Sequence, residues 1–224
     1  ANPDLIEAIS RLKAGQASAE DVLAAIRGQR VLIPLLANLG EGEVGEHGLQ
    51  IDKSAELSIV TVETPDLQSG LPIFSSVQSM SNWNTAARPV PVDIAKAALA
   101  AAKEQNTRMI LDPGSETEFV FRRTAIEALA TGKAWTHPAR SPEVRGAFQS
   151  AIEPLTEIKE FQLIDGDPNC DLGSAELELV LTVAEGLTRE RIDDLMKKLA
   201  ENISQSFEIA ECVDSLRVKL AAGR

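Results

Sequence analysis

Met109-Ile110-Leu111-Asp112-Pro113-Gly114-Ser115-Glu116-Thr117-Glu118-Phe119-Val120-Phe121 is the most explicit structural statement in the chain. Two short apolar runs flank Asp-Pro-Gly-Ser, whose proline presets φ and whose glycine accepts a left-handed turn, so the stretch reads as strand, turn and returning strand. Upstream, Asp93 suits the N-cap of an Ala-rich helix running through Lys103 and ending at Asn106. Arg88-Pro89-Val90-Pro91-Val92 must be extended, because two prolines forbid helix there. A short helix begins near Ser76 and carries Trp83. Leu71 to Phe74, Leu57 to Val62 and Val31 to Leu36 read as strands, and Pro34 pushes the last of these toward a sheet edge or a bulge. Two helices open the chain, one capped by Asn2-Pro3-Asp4 and stopped at Gly15, the other running from Ser18 to Gly28.

Downstream, Thr124 to Thr131 is a short helix closed by Gly132. Residues 133–141 carry a proline and no periodicity, and read as a linker. Ser141-Pro142-Glu143 then starts a new helix. Glu160 to Ile164 and Glu176 to Val183 read as paired strands, Thr188 caps a helix through Ile203, and Leu216, Val218 and Leu220 alternate as a closing strand. The pattern predicts an α+β protein of two small domains. Residues 1–136 form a mixed sheet with helices, and residues 137–224 an α-β-β-α-β unit.

The chain has 224 residues, 22 basic and 34 acidic, for a formal charge of −12. Both expected domains share the excess, with 12 basic against 17 acidic residues in 1–136 and 10 against 17 in 137–224. Without a basic face, the counterion release behind nucleic-acid affinity is missing. With no Tyr, six Phe and two Trp, stacking platforms are scarce too. The same acidity repels anionic lipid surfaces. The longest apolar run, Val31 to Ala37, falls far short of the ~18 residues of a membrane span. The first thirty residues show no basic region followed by an apolar one, so a cytoplasmic location is expected, with Cys170 and Cys212 as reduced thiols.

Three motifs carry chemistry by their letters. Gly40-x-Gly42-x-x-Gly45 matches a dinucleotide fingerprint, yet Glu41, Glu43 and Glu46 would face the phosphates and a strand follows, so it reads as an acidic loop. Asp165, Asp167, Asn169, Asp171 and Glu176 place oxygens at positions 1, 3, 5, 7 and 12 of a calcium loop, with Leu172 at position 8. Against calcium, Cys170 stands at the sixth position and the flanks read as strands; Asp, Gly, Pro and Asn also build plain hairpin loops. The plain loop is the preferred reading, and a calcium-modulated module the alternative. His47 and His137 have no motif-grade Ser or Cys partner for nucleophilic catalysis. No catalytic residue and no cofactor is assigned.

Residues 28–132 contain VLIPLLANL, LPIFSS, a short helix with Trp83, ARPVPVDIAKAALAAA and MILDPGSETEFVFRRTAIEALATG. This order resembles the N-terminal domain of the SseB (enhanced serine sensitivity) family, with Asp112 where Asn is common in the turn. The second half resembles the family's C-terminal domain only by element order. The resemblance implies an α+β cytoplasmic bacterial protein of a family without an assigned reaction or cofactor.

The leading reading is therefore a non-enzymatic interaction or regulatory protein with a protein partner. The rival is an enzyme or binding protein of serine or sulfur metabolism, its site between the two halves. Trp83 lies in the polar run Ser79 to Thr85, and Arg88 follows on a proline-stiffened segment; both types are enriched at interface hot spots. The resemblance places Asp112, Pro113, Gly114 and Ser115 near the same sheet edge, which makes these six residues a candidate binding patch. The competing assignment has Trp83 covering the core and Arg88 paired with Asp93 or Asp112.

Overall fold

The computed structural model describes residues 2–38 and 56–221. Gly40, Gly42, Gly45 and His47 lie outside the described residues. The first half runs α1 (Pro3–Lys13), α2 (Ala19–Ile26), β1 (Arg30–Asn38), β2 (Glu56–Ile59), β3 (Val62–Glu63), β4 (Ser69–Ile73), α3 (Val77–Trp83), β5 (Arg88–Asp93), α4 (Ile94–Lys103), β6 (Arg108–Leu111), β7 (Phe119–Arg122) and α5 (Arg123–Thr131). Helix starts follow their local chemistry. Asn2 Oδ1 accepts from the Asp4 N–H at 2.8 Å, and Ser18 and Asp21 form a reciprocal capping box. Gly132, at φ +70°, supplies the left-handed residue that ends α5.

β1 is the centre of an antiparallel sheet ordered β2-β1-β5, not an edge. Pro34 is tolerated there because the β2 ladder begins only at Leu35, while on the other side Pro34 faces Pro89, which likewise lacks an N–H. β5 takes the edge, and its two prolines blunt it against further pairing. The run expected as one strand from Leu57 to Val62 is broken and serves two sheets: β2 joins the first and β3 the second. That second sheet is ordered β3-β4-β6-β7, with β4 parallel to β6 and β6–β7 an antiparallel hairpin. Leu32 and Phe74 tie the two sheets by exchanging N–H···O bonds of 2.9 Å.

The β6–β7 hairpin is buried on both faces. Met109, Leu111, Phe119 and Phe121 point into the main core with Leu71, Ile73, Ile94 and Ala125. Ile110 and Val120, cross-strand partners on the opposite face, pack against Leu172 from the second half. Arg108 and Arg122, also cross-strand partners, share that opposite face by the strand's two-residue period.

The second half runs α6 (Pro142–Ile152), β8 (Ile158–Asp165), β9 (Leu177–Val183), α7 (Arg189–Ser204), α8 (Phe207–Cys212) and β10 (Leu216–Ala221). Its sheet is ordered β10-β9-β8, with β9 antiparallel to β8 and parallel to β10. A separate apolar cluster, built on Val144, Phe148, Leu177, Leu179, Leu181 and Leu195, fills it. The element order is α-β-β-α-α-β, one helix more than the sequence pattern indicates. α8 is six residues long, too short to display a helical period, and is set by Ser206, whose Oγ accepts from the Ile209 N–H. The protein is α+β in class. Among the described residues no helix is long and apolar enough to cross a membrane.

Candidate functional site

Asp112 holds the turn that the sequence singled out. It adopts φ +46°, in the left-handed region that few non-glycine residues enter. Its side chain is 1% exposed and accepts from the Ser75 N–H at 2.8 Å, the Ser75 hydroxyl at 2.5 Å and the Thr117 hydroxyl at 2.9 Å. Asp112 therefore ties the end of β4 to the β6–β7 turn. One residue before Ser75, the Phe74 ring packs at 5.3 Å from Trp83, which is half-buried. Trp83 and the turn thus meet at the same strand end, Phe74–Ser75. Gly114, Ser115 and Arg88 are exposed, and Pro113 is half-buried. The Arg88 ion pairs considered from sequence do not form. Asp93 stands 4.0 Å from Lys96, and Asp112 is engaged by hydroxyls and an amide.

A second assembly of polar groups lies between the halves. Arg108 donates to Asp66 and, through two nitrogens at 2.8 Å each, to Asp214. Arg122 donates to Asp167 at 2.5 Å, to the Ser174 carbonyl at 2.7 Å and to Ser215 Oγ at 3.1 Å. Like charges directly opposite on a ladder repel, and Asp214, which reaches both guanidiniums, makes their juxtaposition tolerable.

The 165–176 loop is where the second half clasps the first. The Val120 N–H of the β7 edge donates to the Cys170 carbonyl at 2.8 Å. Gly166 sits where a Cβ would lie 2.3 Å from the Ala175 carbonyl oxygen, so only glycine closes the loop this way. Asp167 accepts from the Asp171 and Leu172 amides as well as from Arg122. Asp165 faces His137 at 3.4 Å and Arg140 at 3.6 Å, Glu176 accepts from the Asp214 N–H, and Asn169 and Asp171 are exposed. Among the described residues, no group of three or more His, Cys, Asp and Glu side chains is arranged to hold a metal ion.

The expected linker is pinned to both halves. Glu20 of α2 accepts from the His137 N–H and from Arg140. Burial opposes its charge, yet these donors, Arg140 foremost, hold its carboxyl down to about 2. His137 Nδ1 accepts from the Ala139 N–H at 3.1 Å, which leaves the proton on Nε2 toward Asp165; burial pushes its pKa down. Burial likewise pushes the Cys170 thiol up, away from a reactive thiolate. The cavity that Arg122, His137, Asp167, Cys170 and Glu176 line measures about 20 Å³, room for one water. The larger hollows are open grooves. One of about 640 Å³ runs along α6 beside Asn202 and Glu208, and one of about 470 Å³ lies between α5 and Cys212.

A family model described as the SseB protein N-terminal domain matches residues 5–128. The chain belongs to the SseB family. The match extends beyond the 28–132 segment that carries the resemblance in sequence, taking in α1 and α2, and it ends inside α5. The α2 residue Glu20 and the paired arginines of the hairpin thus all lie within the SseB domain, whereas Asp167, Glu176 and Asp214 lie beyond it. No curated protein and no solved structure matches the chain.

Arg108, Arg122 and Asp214 belong to no sequence motif, because each looks ordinary alone. Their signal is an arginine at an alternate position of a strand otherwise fully apolar, as in Arg108-Met109-Ile110-Leu111 and Phe119-Val120-Phe121-Arg122. A buried arginine requires a carboxylate from elsewhere.

Proposed function

We propose that this SseB-family protein is a non-enzymatic interaction or regulatory protein that engages its partner through the Trp83–Arg88 segment and the 112–115 turn. The observation that carries the reading is the convergence of Trp83 and Asp112 on Phe74–Ser75. It gives a rigid base beneath the exposed Gly114 and Ser115, and Arg88, exposed at the start of β5, extends the patch from the adjoining sheet. A half-buried Trp on a fixed platform loses little conformational entropy when a partner covers it, as hot-spot residues do. The titratable groups between the halves point elsewhere: they are engaged with one another around a cavity too small for a metabolite.

Arg88→Ala is the clean test, since Arg88 is exposed and its truncation should leave the fold intact. Partners captured by the wild-type chain should be lost by Arg88→Ala and by Trp83→Ala, with melting unchanged for Arg88→Ala. Retention of every captured partner by both variants would remove the patch from the argument. A thermal-shift panel of serine, other amino acids and sulfur compounds separates the small-metabolite alternative, which requires a reproducible rise of several degrees with one compound.

A further inference from the structure

The contact between the halves holds more buried carboxylates than its cations can neutralise. Arg108 makes five hydrogen bonds, to Asp66, Asp214 and the Thr107 carbonyl. Arg122 is engaged by Asp167, Asp214, Ser215 and the Ser174 carbonyl. Neither donates to Glu176. That residue is 2% exposed, and only its Oε2 has a partner among the described residues, the Asp214 N–H at 2.7 Å. The titratable groups around it are Arg108 of β6, Arg122 of β7, Asp165 at the end of β8, Asp167 and Cys170 of the loop, Asp214 before β10 and His137 of the linker. Asp66 stands behind Arg108. Three aspartates already share two guanidiniums. A fourth negative charge would be buried without a cation of its own, a costly arrangement that a carboxyl group escapes by keeping its proton.

We propose that Glu176 makes the contact between the two halves pH-sensitive: protonated, it completes the clasp, and ionised, it opposes it. Burial first, and Asp214 beside it, push its pKa up to about 7 from the ordinary 4.5. For a raised carboxyl the sign is fixed by linkage. The stability it brings is complete below 4.5, declines as the pH rises and is gone above about 7. His137, whose pKa is lowered, acts in the opposite sense on the acid side.

The test compares the full chain with Glu176→Gln, which keeps an oxygen for the Asp214 amide and cannot ionise. Thermal unfolding is followed at pH 5 and pH 8.5 in EDTA. The two proteins should melt nearly together at pH 5. At pH 8.5 Glu176→Gln should be the more stable by roughly 50- to 100-fold in its folding equilibrium, about 5–10 °C for a chain of this size. Trypsin cleavage at Lys133 and Arg140, taken as the ratio of wild type to variant, should rise about tenfold between pH 6 and pH 8.5 as the clasp loosens. Glu178→Gln serves as the control: Lys219 and Arg217 hold that carboxyl low, so its loss should destabilise. A carboxyl ¹³C titration of the wild-type chain needs no variant and should place Glu176 near 7. A midpoint below 5, a wild-type–variant gap that does not change with pH, or melting raised by added calcium in the wild type alone would each overturn the proposal.

Discussion

Replacing Asp112 separates two roles that its position combines, the left-handed backbone and the three accepted hydrogen bonds. Asp112→Ala deletes all three bonds, two of them to Ser75, and leaves the Ser75 amide without its acceptor. At about 1 kcal/mol per net hydrogen bond, the loss comes to roughly 3 kcal/mol. Alanine is also less at ease than aspartate at φ +46°, which adds up to about 1 kcal/mol. Asp112→Asn keeps a carbonyl oxygen for the Ser75 amide, and the Ser75 and Thr117 hydroxyls can turn to accept from its amide group. Asparagine also tolerates the left-handed region, so the exchange should cost under about 1 kcal/mol. For a chain of this size the alanine variant should melt about 8–14 °C below wild type and the asparagine variant within about 4 °C. Scanning calorimetry checks both. Equal melting of the two variants would refute the hydrogen-bond reasoning, and an alanine variant within 2 °C of wild type would refute the claim that this turn anchors the strand end.

Three further outcomes follow from the contact between the halves. Arg122→Met leaves Asp167 and Asp214 short of a cation in a buried setting and should destabilise by about 3–5 kcal/mol in urea unfolding; a loss under 1 kcal/mol contradicts the assignment. Glu20→Gln should lose about 1 kcal/mol at neutral pH, since the pair with Arg140 is partly exposed. The gap should close as the pH falls from 4.5 through 2, because a lowered carboxyl gives up its contribution on protonation; a pH-independent gap would point to packing instead. Calcium titrated into the chain should evolve no heat, since Asp167 is already committed to Arg122 and loop amides, whereas micromolar binding abolished by Asp165→Ala would restore the calcium reading.

Local chemistry was legible wherever one residue type has one structural use. Asn2, Ser18, Ser141 and Thr188 sit at the helix starts they signal, Gly132 ends its helix, and Asp112-Pro113-Gly114-Ser115 turns its hairpin. Strand placement was less legible. Pro34 argues for an edge on local grounds, and only the long-range pairing with Pro89 shows how a central strand accommodates it. The Trp83–Phe74 contact and the Ser75–Asp112 bonds join segments 9 and 37 residues apart, beyond the reach of local patterns. The polar contact between the halves was not legible at all. Arg108 and Asp214 lie 106 residues apart, and nothing in the spacing of either predicts the other. The acids at 165–176 resemble a cation loop in their spacing, while the partners of Asp165, Asp167 and Glu176 are two arginines, His137 and main-chain amides.

The β6–β7 hairpin is a party wall. Its odd-numbered side chains belong to one interior, while Arg108, Ile110, Val120 and Arg122 belong to a neighbour encoded after residue 136. The SseB domain match stops at residue 128, so the tenant on the far side is not specified by the domain itself. A relative that ended there would face water with two arginines and two aliphatics side by side. Such a chain would have to exchange these four positions for a solvent-compatible set or recruit a separate polypeptide to cover them. SseB-like chains with and without this second half are therefore expected to differ at these four positions.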